Sequence, residues 1–421
     1  MHLIIFSDIL TPRIKYIFNF IFKEILKAEV EFTGNRQHFH QSSYAKLSYG
    51  PAPIGDEIFF KSTSLLFSNK LTEINVKTIA FADYLAPFPV DGSVLPFDVF
   101  AASFLIITRF EEYLHQKRTE DDFKPAKSWQ HKWKVLDRPI IDEWALILKD
   151  IILKKYPNFK SHGRTFQHRP VFNFTVVPDL PEGFINRTKF IFSSLFKKEN
   201  KYLSAKFDEF TGVGAKSEDV IEKLNAQFAQ KNKPVYFINF PLVPIEYIRS
   251  NGLSKKLKDN AVGLLRPCAS SKEKQNEIRD GLSKLKKIFP EPIPLISQQL
   301  EPLRFPICYL NLLKAGITTD FSMGYPNFSG FRAGTCTPFN WYDLQLEKVT
   351  PLVINSYCIT DQQLQYLPLP AAQETISKYL SVVKKVNGSF HSGWNLRSLS
   401  PNPKYKKLNT LFNNMSTRAG E

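Results

Sequence analysis

Apolar positions change their period partway along the chain. Up to about residue 165 they recur mainly at helical spacing; beyond it, short apolar runs alternate with amphipathic segments. Residues 2–7 predict a short strand. Thr11-Pro12 then opens a helix, with Thr11 as N-cap and Pro12 in the first turn, where its missing N–H is not needed. Ile14, Ile17, Phe18, Ile21 and Ile25 form its apolar stripe. Residues 33–56 are polar and rich in glycine and proline, which predicts a solvated loop. His38 and His40 lie two apart within it, a spacing that shares a face on a strand, but no third metal ligand accompanies them. A second helix is predicted over 96–114, apolar nearly all round between Ala101 and Ile107 and therefore buried. Residues 115–128 read as a polar loop. Asp142 is placed as the cap of a further helix whose Trp144, Leu148, Ile151 and Ile152 share a face, and 156–169 as a linker. The expected domains are 1–165 and 166–421.

In the second part, strands are predicted at 171–177, 235–240, 261–265, 293–298, 317–323, 352–357 and 388–394. Helical patterns at 271–288 and 371–386 fall between them, the latter presenting Ile376, Tyr379, Leu380 and Val383 on one face and stopping at Gly388. Strands alternating with helices argue for a parallel α/β arrangement, in which functional groups stand at or just beyond strand ends. The run 320–343 is the densest in aromatics, small residues and turn formers. Within it Phe331-Arg332-Ala333-Gly334-Thr335-Cys336 sets a guanidinium beside small residues. Such a group either ties its loop down through an ion pair or receives an anion.

Composition narrows the class. The chain has 421 residues, 43% hydrophobic and 23% charged, as in ordinary globular proteins. A formal charge of +16 favours an anionic partner, yet the lysines fall in scattered pairs such as Lys286-Lys287 and Lys406-Lys407. No zinc-finger, RNA-binding or basic heptad signature accompanies them, so nucleic acid is not the expected partner. The cysteines Cys268, Cys308, Cys336 and Cys358 follow no metal or redox spacing and read as reduced thiols, which makes a cytoplasmic location the expectation. Asp8 and Arg13 interrupt the apolar N-terminus, so neither a signal peptide nor a membrane span is expected.

The run 303–344 resembles the most recognisable stretch of the NodB-like polysaccharide deacetylases, and the segments 11–22, 95–114 and 138–149 resemble the N-terminal domain of a branch found in Bacteroidetes. The resemblance implies an irregular (β/α)7 barrel preceded by a smaller α/β domain. It also implies metal-dependent hydrolysis of an acetyl group on a sugar, with an aspartate base, a second aspartate and histidines on the metal, and a histidine at the leaving group. The motif positions depart from that pattern. Where the branch has Tyr-Asp-Ile-Asp, this chain reads Phe172-Asn173-Phe174-Thr175. Leu265 follows Gly263-Leu264 and Leu300 follows Ser297-Gln298-Gln299 where relatives have histidine; Asn395 replaces the histidine of a Trp-His-Asn run. After His168 the chain contains one histidine, His391, placed by alternation on the helix side of its strand. Arg332 matches the arginine that orients the catalytic aspartate.

Two functional readings remain. In the first the barrel has lost base and metal and serves by binding or scaffolding, with no cofactor. Its pocket is lined by Asn173, Arg332, Trp394 and Asn395 and takes an anionic or glycan-like group, or a protein partner. In the second a working hydrolase uses relocated ligands drawn from Asp179, Asp320, Asp361 and His391.

Overall fold

A computed structural model describes residues 2–119, 121–174, 217–228, 233–240, 243, 245–250, 252–289, 294–298 and 302–420. The opening apolar run is strand β1 (Leu3–Phe6), buried at all four positions. It pairs in parallel with β2 (Val30–Thr33) and β3 (Ala45–Gly50), and β3 pairs with β4 (Ile58–Lys61). The helix Pro12–Phe18 begins as its sequence predicts, the Thr11 side chain accepting from Ile14 N, and runs on as a π-helix over Asn19–Ile25. Residues 33–56 are not a loop throughout: they hold the helix Arg36–Gln41 and β3. Ala45, Leu47 and Tyr49 alternate into the core, a signal only six residues long between turn formers. His38 lies on that exposed helix with Nε2 2.5 Å from Glu31 Oε1, a surface contact rather than a metal site.

The predicted helix at 96–114 is two helices, Val99–Ile107 and Phe110–Arg118, joined by Arg109 in the left-handed region (φ 57°, ψ 36°). The first is buried at every position, as all-round apolarity requires. A hairpin, β5 (Thr78–Phe81) with β6 (Tyr84–Pro87), and the helix Ile140–Lys155 complete this part. Pro139, not Asp142, precedes that last helix as its cap residue.

The remaining strands form one sheet: β7 (Gln167–Phe174), β8 (Val235–Ile238), β9 (Ala261–Leu265), β10 (Leu295–Ser297), β11 (Thr319–Met323), β12 (Phe339–Asp343), β13 (Lys348–Ser356), β14 (Ile359–Thr360) and β15 (Ser389–Asn395). Their order is β12-β13-β11-β10-β9-β8-β7-β15-β14 among the described residues, all pairs parallel except β12 with β13. The predicted end of the first strand at 175–177 lies outside the described residues, as do 293 and Leu300.

The sheet curls. Phe237 of β8 and Phe321 of β11 stand three strand spacings apart, about 14 Å on a flat sheet, yet their rings are 5.4 Å apart. The Phe321 ring also lies 5.7 Å from that of His391 on β15. Only Tyr357 and Cys358 separate β13, next to one edge of the sheet, from β14 at its other edge. Val171, Val235, Phe237, Leu265, Leu295 and Phe321 fill the concave side. The convex side packs against helices, as where Trp394 and Phe172 meet Phe412 of the helix Lys406–Gly420.

One expectation about the cysteines is overturned. Cys268 and Cys308 are joined in a disulfide, their Cα atoms 5.9 Å apart, while Cys336 and Cys358 are free and buried. Their sequence spacing hid this pairing, because strand and helix ends forty residues apart meet only in the fold. With this disulfide the cysteines no longer point to a cytoplasmic location. Among the described residues no helix is long and apolar enough to cross a membrane.

Candidate functional site

On β7 and β15, alternation sends Val171 and Asn173 to the concave side and Phe172 and Trp394 to the convex one. Asn173 and Asn395 are register partners on these adjacent strands. The Asn395 amide reaches Asp361, whose carboxylate also takes Asn395 N at 2.8 Å and Ser398 Oγ at 2.6 Å. Trp394 does not join them: it is fully buried, its ring 5.1 Å from Phe412 and its Nε1 donating to Ser392 Oγ at 3.0 Å. Leu265 is fully buried among the apolar residues of the concave side. Thr175, Asp179 and Leu300 lie outside the described residues.

Of the two roles open to Arg332, tying its loop down through an ion pair or receiving an anion, the structure shows the ion pair. Arg332 is 3% exposed and forks onto Glu112, Nε donating to Oε1 at 2.9 Å and Nη2 to Oε2, while Nη1 donates to Gly324 O at 3.0 Å. The rings of Tyr325 and Phe305 cover it, their centroids 4.9 and 5.5 Å from Cζ. Glu112 is shared with Arg109, whose Nε donates to Oε1 at 3.0 Å. Arg109 also reaches Gln130 Oε1 at 2.5 Å, Tyr325 Oη at 3.1 Å and the carbonyl of Arg332. Burial raises the Glu112 carboxyl, and the Arg332 and Arg109 charges outweigh it, holding the group below its ordinary value.

A second buried carboxylate holds the other end of the same loop. Asp142 accepts from Thr335 Oγ1 at 2.5 Å, Cys336 N at 3.1 Å, Thr337 Oγ1 at 2.5 Å and Arg164 Nη1 at 3.0 Å. Backbone bonds complete the seam: Phe331 N to Leu136 O at 2.8 Å and Ile141 N to Gly334 O at 3.0 Å. Gly334 has φ +66°, and a Cβ there would lie 2.5 Å from Ile106, so only glycine fits. The loop 324–337 is therefore a clamp onto the N-terminal part. From the sequence Glu112 was given no role and Asp142 only that of a helix cap; each stands in the first turn of its helix beside a second acid, Glu111 and Glu143.

The relocated ligands do not converge into a metal site among the described residues, where no three His, Cys, Asp or Glu side chains are grouped to hold an ion. Asp320 is buried and bonded to Tyr309 Oη at 3.0 Å and Ser322 N at 2.9 Å, and Asp361 serves Asn395 and Ser398. His391 faces the concave side rather than the helices, since 391, 393 and 395 share strand parity and its ring meets Phe321. Its Nδ1 lies 3.1 Å from Ser356 O.

His391 and His168 are held neutral. Burial, then the charge of His391, lowers His168 to about 3; burial, then Arg169, lowers His391 to about 4. Below about 6.5 the unfolded chain binds protons that these folded imidazoles do not. Their contribution is full above that pH and declines toward the folded values at about 1.4 kcal/mol per pH unit for each histidine. Glu111 and Asp320, raised by burial to about 7 and about 6, act in the opposite sense, so a variant difference isolates the imidazole. Between pH 7 and pH 5, His168→Leu should gain about 2 kcal/mol relative to wild type in urea unfolding. A difference independent of pH would contradict a neutral buried His168.

No curated protein matches the chain. Among solved structures, a Mycobacterium smegmatis protein classed as a polysaccharide deacetylase aligns at 10% identity and TM-score 0.37, covering 61% of this chain and 85% of that one. A GH138 enzyme targeting pectin rhamnogalacturonan II aligns at 9% identity and TM-score 0.27, covering 96% of this chain and 59% of that one. Residues 3–157 match the model of a family of unknown function (DUF7033).

Proposed function

We propose that this chain is a NodB-like (β/α)7 barrel that has lost the acetyl-hydrolysing centre and serves by binding a glycan-like group, with residues 1–165 as a separate unit built onto it. The observation that carries the reading is Leu265. It stands at a position where the family's chemistry needs an imidazole, and it is packed among Val171, Phe237 and Phe321 with no donor atom to offer. The neighbouring positions repeat the point, since Asn173 and Asn395 present neutral amides where a carboxylate and an imidazole are required. The donor set does not fit a catalytic divalent ion, so no hydrolytic step is derived through one. Arg332 leaves the proposed binding group because Glu112 occupies its fork, and Trp394 leaves it because it faces the helices. Asn173 and Asn395 remain as its polar members.

Elemental analysis after dialysis against zinc, cobalt or nickel tests the donor set. Well under one equivalent of metal is expected for the wild type and for Asn173→Asp, because restoring one ligand leaves the others missing. One tightly held equivalent in the wild type would overturn the reading in favour of relocated ligands.

A further inference from the structure

Two clefts flank the short helix Trp129–Lys132, and Lys132 lines both. The first, about 360 Å³, lies between the helix Phe110–Arg118 and residues 121–132. The second, about 890 Å³, runs from 131–138 across Phe328 and Ser329 to the helix Leu369–Lys385. The two clefts adjoin at Lys132, the pair being called the trough below, and none of their lining residues belongs to the apolar cluster on the concave side of the barrel sheet. Some of its charges are already matched: Arg118 with Glu73, Arg138 with Asp83, Lys378 with Asp137. Lys124, Lys127, Lys132 and Lys134 are exposed and have no ion pair among the described residues. Half-buried Trp129 and Phe328 present aromatic surface to the two clefts.

We propose that this trough is a binding site for a sparsely charged anionic oligosaccharide, one in which uronic acids alternate with neutral sugars. The ammonium groups of Lys124, Lys127, Lys132 and Lys134, of which Lys132 also acts on Glu111 and Lys134 on Asp83, are spread along it and suit spaced carboxylates, and the aromatic faces suit the apolar faces of sugar rings. The lining also contains the carboxylates Glu111, which already accepts from Trp129 N at 2.8 Å, Asp121 and Asp122. A nucleic acid, with one phosphate per nucleotide, would bring its charges against those carboxylates, whereas a chain with neutral sugars between its acids avoids them. The trough is separate from the barrel interior, so this inference and the loss of hydrolysis stand or fall independently.

The test is fluorescence polarisation of the full chain with a labelled hyaluronan octasaccharide, whose glucuronates alternate with N-acetylglucosamine. Lys132→Glu is expected to weaken binding by about tenfold or more. Lys286→Glu makes the same change in net charge on a helix that lines neither cleft, and is expected to stay within about twofold of wild type. A neutral N-acetylglucosamine octamer should bind at least about tenfold more weakly than hyaluronan. Equal loss in the two variants would show that only net charge is read and would overturn the site. Equal binding of the neutral octamer, or tighter binding of a single-stranded oligonucleotide of matched charge, would overturn the ligand class.

Discussion

Glu112→Gln should lower the stability of the folded chain by about 3–5 kcal/mol, because it strands two buried guanidiniums at once. The Glu112 side chain is fully buried and is the carboxylate shared by Arg109 and Arg332. A glutamine can still accept from one guanidinium, but its amide N–H groups would face the other. Arg332→Met should lose less, since Glu112 then keeps Arg109 and the methionine fills part of the space between Tyr325 and Phe305. Urea midpoints of the two variants give the order directly. A Glu112→Gln loss within about 1 kcal/mol, the range of exposed pairs, would mean the cluster is solvated and Arg332 is available to a ligand after all.

The second large effect is expected at Asp142, where Ala leaves Thr335, Thr337, the Cys336 N–H and the Arg164 guanidinium without their shared acceptor. Each stranded buried donor costs about 1–3 kcal/mol before the surroundings relax, so a net loss of about 3–4 kcal/mol is expected. Asp142→Ala also carries a local signature. Cys336 is 3% exposed and sits on the released segment, so under native conditions its reaction with a thiol reagent should quicken by about tenfold or more. Unchanged thiol reactivity would show that the loop is held by its backbone seam and packing alone.

Much of the barrel-like half was legible because each strand carries its own apolar run. The strand at 261–265 matches β9 at both ends, and the others differ by a few residues at their termini, where pairing partners rather than local sequence set the limits. β12 was not legible. Its residues close the run 320–343, where turn formers and small residues mask a strand, and its antiparallel pairing with β13 depends on a partner whose start lay earlier than the apolar signal at 352. The break at Arg109 was hidden by apolarity on both sides of a single left-handed residue. The candidate site residues were legible one by one, and their contacts were not. Asn173, Leu265 and Asn395 stand in their motifs, but that Glu112 captures Arg332 across 220 residues is a property of packing. Strand parity made His391 decidable from the sequence, since an even spacing from Asn395 shares its face.

Acetate release tests the central claim most directly. The purified chain, supplied in turn with zinc, cobalt and nickel, is incubated with N-acetylated and O-acetylated oligosaccharides and the free acetate is measured over time. Release no faster than in buffer with the same metal is expected, because among the described residues no three His, Cys, Asp or Glu side chains are grouped to hold an ion and Leu265 offers no donor atom. Release that rises with protein concentration and stops on adding a chelator would contradict it.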